Sequence, residues 1–255
     1  VERTRLHAYA EKAMREAAQS TSWLAPDAAF EAAVHVAVDA AYDDPAVHEP
    51  LAALVAQLVE PGWSNALSQK LVQLTMPGVP DLYQGTEVWG DSLVDPDNRR
   101  PVDLAEKRAL LERLDAEDTP PPIDASGAVK LWVVSRALRI RRDRPELFAS
   151  YTPLPATGPA AEHVVAFDRG GAVTVVTRLP MRLAGMGGWR DSRLALPGGE
   201  HTDLFTGQRH RGSARVADLL AAYPVALLVT ADRPGGRQER SSSAASAGTS
   251  KSTFG

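Results

Sequence analysis

The spacing of apolar residues changes period partway along this chain, and no other feature constrains its fold as tightly. Over residues 4–75 they recur at helical spacing: Leu6, Tyr9, Ala13 and Ala17, then Phe30, Val34, Val38 and Ala41, then Leu51, Leu54, Val55 and Leu58. Such series put apolar side chains on one face of a helix and require another element to cover that face. Pro26, the Asp43-Asp44-Pro45 cluster and Pro61-Gly62 punctuate the series. Ser64 is placed to cap a fourth helix carrying Leu67, Leu71 and Leu74. Beyond Ser150 the period falls to two. Residues 163–167, 172–177, 194–196 and 224–230 are expected strands, separated by turns such as Arg169-Gly170-Gly171 and Pro197-Gly198-Gly199. One layer type cannot satisfy both periods, so the chain is expected to be helical first and antiparallel β afterwards, as a small sandwich or an open sheet.

Residues 76–103, MPGVPDLYQGTEVWGDSLVDPDNRRPVD, join the two regimes. The short apolar run 79–83 reads as a single buried strand, closed by Pro-Gly chemistry before it and Gly85 after it. The remainder is a long polar loop, where ligand contacts concentrate because the backbone is free to present side chains from a rigid frame. Asp103 and Glu106 then form a capping-box-like start to a helix through Leu114, and Ser126 caps another through Arg142 that Pro145 ends. From residue 233 onward Gly, Ser and isolated charges without apolar periodicity predict a disordered tail.

Composition removes several function classes. With 255 residues and 44% hydrophobic content the chain can bury a sizeable core. A formal charge of −4 supplies no basic field, so no nucleic-acid partner is expected. The absence of cysteine rules out disulfides, thiolate zinc and a cysteine nucleophile, and fits a cytoplasmic location. No apolar run approaches the ~20 residues that span a bilayer, so no membrane partner is expected.

Candidate chemistry is sparse. Asp91, Asp95, Asp97 and Asp103 lack the central Gly and distal Glu of a calcium loop, and Arg99 and Arg100 stand among them, so no metal or cofactor is expected. The histidines His7, His35, His48, His163, His201 and His210 are scattered and read as packed or hydrogen-bonded side chains. Gly185-Met186-Gly187-Gly188 lacks the dinucleotide register, and no GxSxG elbow occurs. The basic run 139–144 reads as the solvated end of a helix, where positive charge suits the dipole. Trp23, Trp63, Trp132 and Trp189 read as core or cap residues, while Trp89 stands out because it lies within the polar loop.

The run KLVQLTMPGVPDLYQGTE resembles the segment of the α-amylase superfamily (glycoside hydrolase family 13) in which a helix leads through a Pro-Gly-x-Pro turn into the eighth barrel strand. WGDSLVDPDNRRPVD narrows the resemblance to the maltooligosyl trehalose synthases, and HAYAEKAMREAAQSTSW, LRIRRDRPELF, HVVAFDRGGAVTVVTRLP, DLFTGQ and YPVALLV are similar to that subfamily too. The resemblance implies an α/β plus all-β fold. Residues 1–75 would be a helical segment before the last strand of a (β/α)8 barrel. Residues 76–148 would hold the eighth strand, a substrate loop and closing helices, and residues 149–232 a small antiparallel β-sandwich, with the tail at 233–255.

For function, the resemblance implies an intramolecular transglycosylase that turns the reducing-end α-1,4 linkage of a maltooligosaccharide into an α,α-1,1 linkage. Its carboxylate nucleophile and acid/base, ~5 Å apart in a retaining mechanism, are expected upstream of this chain, which then has no catalytic residue and is inactive alone. The loop 84–103 would form one wall of the site. Asp95 and Arg99, from an Asp-Pro-x-x-Arg pattern, would lie near a donor-side sugar, with Tyr83, Gln84, Asn98 and Arg100 beside them. Alternative readings are an Asp95–Arg99 pair that merely braces the loop, a different hydrolase or glucanotransferase of the superfamily, and a non-catalytic glucan-binding module. Asp81 and Glu87 are the other conceivable carboxylate pair, and neither is assigned catalysis.

Overall fold

The computed structural model describes residues 1–93, 95 and 97–230; the expected tail lies outside the described residues. Helices α1 (Arg3–Ala17) and α2 (Ala28–Asp43) form an antiparallel pair. Asp27 caps α2 by accepting from the Ala29 and Phe30 amides, both at 3.0 Å. α1 buries no residue fully, so polar contacts carry much of this pairing. At one end Arg3 reaches Asp39 and Asp43. In the middle the His7 and His35 Nδ1 atoms lie 2.7 Å apart and His7 Nε2 meets Asp39 at 2.9 Å, so both are hydrogen-bonded histidines as expected. At the other end Arg15 forks onto Glu31 at 2.9 and 2.7 Å, and the Thr21 hydroxyl donates to the same carboxylate at 2.6 Å.

The Arg15 hydrogen bonds, helped by Thr21, hold the Glu31 carboxyl down from its ordinary 4.5 to about 2. A depressed folded value stabilises the folded state fully above the unfolded value and loses that contribution as pH falls through the folded one. Denaturation midpoints read from Trp23, over whose ring the Arg15 guanidinium lies at 5.0 Å, should therefore fall between pH 4.5 and 2. Glu31→Gln should flatten that decline; an unchanged slope would remove this pair from the acid response.

Helix α3 (Pro45–Thr75) is continuous through Pro50 and Pro61, whereas the sequence pattern predicts a break at Pro61-Gly62 and a new cap at Ser64. Each proline forfeits one intrahelical hydrogen bond, but the carbonyls released, those of Ala46 and Gln57, lie on exposed residues where solvent can satisfy them. The C-terminal half is fixed by packing, with Leu67, Leu71 and Leu74 fully buried at the expected spacing. Packing thus overrides the breaker signal.

After α3 the chain is extended but not a strand. Residues 79–83 pair with no strand among those described, and Val79 is 96% exposed, which corrects the expectation of a buried strand. A strand is defined by its ladder, and the local apolar run cannot supply a partner. Leu82 alone packs against the helical core. The turn before it is held by Arg141, which donates to the Leu74, Met76 and Gly78 carbonyls. The basic run is therefore more than a solvated helix end: Arg139 also forks onto Asp115 at 2.6 and 2.7 Å.

Helices α4 (Leu104–Glu117) and α5 (Ala128–Asp143) follow, with Asp103 accepting from the Glu106 amide at 2.9 Å as the sequence predicts. A 3-10 turn, Pro145–Phe148, leads into the β region. Its strands are β1 (Thr152–Pro153), β2 (Ala156–Thr157), β3 (Val164–Asp168), β4 (Ala172–Thr177), β5 (Arg193–Asp203), β6 (Arg209–Arg215) and β7 (Val225–Thr230), with short helices α6 (Pro180–Gly185) and α7 (Val216–Leu219) between them. All seven belong to one antiparallel sheet in the order β1-β3-β4-β7-β5-β2, with β6 on β5. Of the two expected arrangements, a small sandwich or an open sheet, the strands take a single sheet, in which β5 uses a register shift between Ala195 and Glu200 to serve several partners. A bulge bends and twists its strand, which lets one long strand turn a corner that a sandwich makes with a loop.

Both faces of the central strands are covered. Ala172 and Val176 on β4, with Val225 and Leu227 on β7, join the core of α3 and α5. Val173 and Val175, with Ala226 and Leu228, join a second core beneath α7. The two layers are pinned by hydrogen bonds as well as by apolar contact. Trp132 Nε1 donates to the Phe205 carbonyl at 3.1 Å, Tyr223 Oη to the Pro121 carbonyl at 2.6 Å, and Thr174 Oγ1 to Thr75 Oγ1 at 2.8 Å.

Candidate functional site

The polar loop closes on itself. Thr86 returns to the Tyr83 carbonyl through both its amide, at 3.0 Å, and its hydroxyl, at 2.6 Å. Gly85, at φ +88°, lies so close to Val102 that an added Cβ would sit 2.9 Å from Cγ2. The loop's two ends therefore touch, and only glycine fits the contact. Its aromatic is anchored to the helices: Trp89 Nε1 donates to the Asp124 carbonyl at 2.7 Å and the ring stacks on Trp63 at 5.7 Å between centroids. A Cβ on Gly127 would meet the Trp89 amide nitrogen at 2.7 Å, which fixes glycine there as well. Lys130, beside this ring, gives its ammonium to the Val88 carbonyl at 3.1 Å, and burial pushes its pKa down to about 8.

The loop encloses a cavity of about 460 Å³. Tyr83, Gln84, Asn98 and Arg100 line it, together with Asp97 and Trp89. Asp95 lies instead on an adjoining groove of about 270 Å³ against α1, with Asp97 and Arg100 common to both. Arg99 lines neither. Asp95 and Arg99 face each other, Nε to Oδ1 at 2.5 Å and Nη2 to Oδ2 at 3.0 Å, with both side chains more than half exposed. The structure thus brings four of the six expected residues around one cavity and joins the other two in an ion pair.

Asp97, which the sequence offers only as a poor calcium ligand, organises the loop. Its carboxylate accepts from Arg5 Nε at 2.8 Å, Arg5 Nη2 at 2.7 Å and the Leu93 amide at 2.7 Å, and Arg100 lies 3.0 Å away. The Arg5 hydrogen bonds hold its pKa well below the usual carboxylate range. A carboxyl held so low has no proton to donate near neutrality, so Asp97 is a positioning group, not an acid. No local motif announces this, because Arg5 is distant in sequence.

Of the other conceivable pair, Asp81 is exposed and Glu87 has a buried Oε2 with no hydrogen-bond partner among the described residues. Lys70 feels both charges, while burial lowers its own pKa. The loop as a whole offers phenol, amide, guanidinium and carboxylate groups around the cavity. That set suits hydroxyl-rich ligands and lacks a poised acid and base.

No family model matches the chain. Two Mycobacterium tuberculosis proteins, from strains CDC 1551 and H37Rv, that carry the maltooligosyl trehalose synthase name are 49% identical to it over 230 residues, which is 89% of this chain and 28% of theirs. The structure of maltooligosyltrehalose synthase from Arthrobacter ramosus superposes with a TM-score of 0.87 at 55% identity, covering 90% of this chain and 30% of that one. A glycosyltrehalose synthase superposes with a TM-score of 0.75 at 25% identity. At this identity and superposition, the chain is a relative of the maltooligosyl trehalose synthases along nine tenths of its own length, and it spans a little under a third of theirs.

Proposed function

We propose that this chain supplies the carboxy-terminal part of an intramolecular transglycosylase that converts the reducing-end α-1,4 linkage of a maltooligosaccharide into an α,α-1,1 linkage. The observation that carries the reading is the 55% identity at a TM-score of 0.87 over 90% of the chain. The mechanism would be retaining, with its two carboxyl groups ~5 Å apart on the part of the protein not represented here. This assignment suits the loop's own chemistry, in which Asp97 is locked by Arg5 and Asp103 is spent capping α4.

In this reading residues 76–148 complete a (β/α)8 barrel, and the extended run 79–83 becomes its eighth strand once the neighbouring strands are present. Val79, at 96% exposure, is the side chain such neighbours would cover. The loop then forms one wall of the site at the barrel's carboxyl face. Asp95 accepts from paired sugar hydroxyls while Arg99 donates through its planar fork, and their mutual ion pair pre-orients both groups. Tyr83, Gln84, Asn98 and Arg100 line the space beside them.

Purified residues 1–255 should leave maltopentaose reducing, and the complete protein should convert it to a non-reducing product. Turnover by the shorter polypeptide would overturn the placement of the carboxylates. In the complete protein Asp95→Ala and Arg99→Ala should each lower kcat/KM by about tenfold, the value of ~1.4 kcal/mol of binding, with Tm close to wild type. A loss of Tm with intact kinetics would instead make the pair a loop brace.

A further inference from the structure

The groove of about 270 Å³ between α1 and the polar loop shares Asp97 and Arg100 with the loop cavity, so the two spaces adjoin. Helix α1 contributes Thr4, Arg5 and Tyr9 to its wall, and the loop contributes Asp95. Tyr9 belongs to the apolar series of α1, yet it is 37% exposed instead of covered. Among the described residues its ring neither stacks on another ring nor receives a cation, and its hydroxyl has no hydrogen-bond partner. The Thr4 hydroxyl is exposed and likewise unpartnered among those residues. A tyrosine joins an apolar ring face to a polar tip, a combination that suits ligands which are themselves apolar on one side and wet on the other.

The charges around the groove are already matched. Arg5 and Arg100 both pair with Asp97, at 2.7 and 3.0 Å, and Asp95 pairs with Arg99. With each guanidinium facing a carboxylate, the groove favours neither an anion nor a cation. Asp95 keeps acceptor capacity, because Arg99 takes one site on each oxygen and a carboxylate offers roughly four. Its side chain is 53% exposed, so a ligand can reach it. A pyranose matches this set: its C–H face is apolar, and its hydroxyls lie around the edge. The volume falls just under the roughly 300–1,000 Å³ of pockets for drug-sized ligands, which suits one ring and not a chain. We infer that the groove seats one glucosyl ring of the oligosaccharide, its C–H face on Tyr9 and a hydroxyl on Asp95, adjacent along the sugar chain to what the loop cavity holds. Helix α1 thereby sets a chain-length preference. The identity of the ligand rests on the transglycosylase reading; the shape and chemistry of the groove do not.

The test titrates the complete protein by calorimetry with borohydride-reduced maltooligosaccharides, from maltotriitol to maltoheptaitol. Their alditol end has no anomeric carbon, so they cannot be isomerised and binding is read without that turnover. In the unaltered protein affinity should rise by about tenfold at one chain length, where the added ring enters the groove. Tyr9→Ala should remove that step and leave shorter chains bound as before, whereas Tyr9→Phe, which keeps the ring face, should retain most of it. Because Tyr9 is exposed and α1 buries no residue fully, neither variant should change Tm. Three results would overturn the inference: a Tyr9→Ala loss by the same factor at every length, which marks a disturbed loop; affinity unchanged by Tyr9→Ala at every length, which with a lower Tm marks Tyr9 as covered by the rest of the polypeptide; or no binding of any reduced oligosaccharide to the unaltered protein. The transglycosylase reading fails on a different observation, maltopentaose left reducing by the complete protein, and a Tyr9-dependent step in affinity would survive that result.

Discussion

Arg169→Ala should lower the stability of the fold by about 1–3 kcal/mol for each buried carbonyl left without its donor. Arg169 is 6% exposed and sits where the helical core, the 3-10 turn and the sheet meet. Its guanidinium donates to the backbone carbonyls of Thr75, Phe148 and Ser150, and so ties the last residue of α3 to the entry of the β region. No carboxylate is among these partners. The compensating negative charge is the carbonyl end of α3, where the helix dipole concentrates about half an elementary charge. Burial, then the nearby Arg141 charge, lowers the Arg169 pKa, but a guanidinium stays protonated throughout any working pH. Truncation would leave three carbonyls without their donors, two of them in bonds that are buried. Arg169→Lys should recover only part of the loss, because a single ammonium cannot span the planar fork that three acceptors require. Urea unfolding measures both variants, and a loss below about 1 kcal/mol, the level of an ordinary hydrogen bond, would show that solvent or a rearranged turn replaces the clamp.

Asp203→Ala should cost about 2–4 kcal/mol, from two amide donors and a hydroxyl left unpaired in the interior. Asp203 is 2% exposed at the end of β5. Its Oδ1 accepts from the Phe205 and Leu227 amides, both at 3.2 Å, and its Oδ2 from the Thr206 hydroxyl at 2.6 Å. It thus holds the β5–β6 turn against β7. Burial raises its pKa above the ordinary 3.8, with the Thr206, Phe205 and Leu227 hydrogen bonds opposing.

The sign of the pH effect follows from that direction. Above 3.8 the unfolded chain has released a proton that the folded chain still holds, so stability falls as pH climbs toward the raised folded value. Asp203→Asn keeps the amide acceptor and removes the titration. Wild type should therefore lose ground to Asp203→Asn as pH rises from 3.8 and level off once the folded carboxyl is ionised. Glu31 titrates in both proteins and cancels in the difference, since the two sites share no hydrogen-bonding partner. A pH-independent difference would mean that Asp203 is solvated more freely than its burial implies.

The match between sequence and structure varies in an interpretable way. β4 occupies Ala172–Thr177, the span its apolar pattern predicts, because it is buried on both faces and every residue reports that burial. β6, Arg209–Arg215, carries no such pattern: its side chains are mostly exposed and charged, and it becomes a strand only because β5 offers it a ladder. α3 shows the converse, a breaker signal at Pro61 overruled by the packing of Leu67, Leu71 and Leu74. Residues 79–83 look apolar enough for a strand, yet they pair with nothing described. In the loop, Tyr83, Gln84, Asn98 and Arg100, which line one cavity, were named from the resemblance. Asp97 was not, since its role depends on Arg5.

By itself the sequence determined the change from helical to β architecture, the cap at Asp103, the polar loop and the family to which the chain is similar. These are encoded within windows of a few residues, where periodicity and hydrogen bonds between near neighbours are written directly in residue order. Only the tertiary structure decided that the strands form one sheet, that Arg169 and Arg141 clamp helix ends, that Asp97 holds the loop and that His201 is buried with neither ring nitrogen in a hydrogen bond among the described residues. Each of those depends on a partner, or on the lack of one, at a distance in sequence that local patterning does not register.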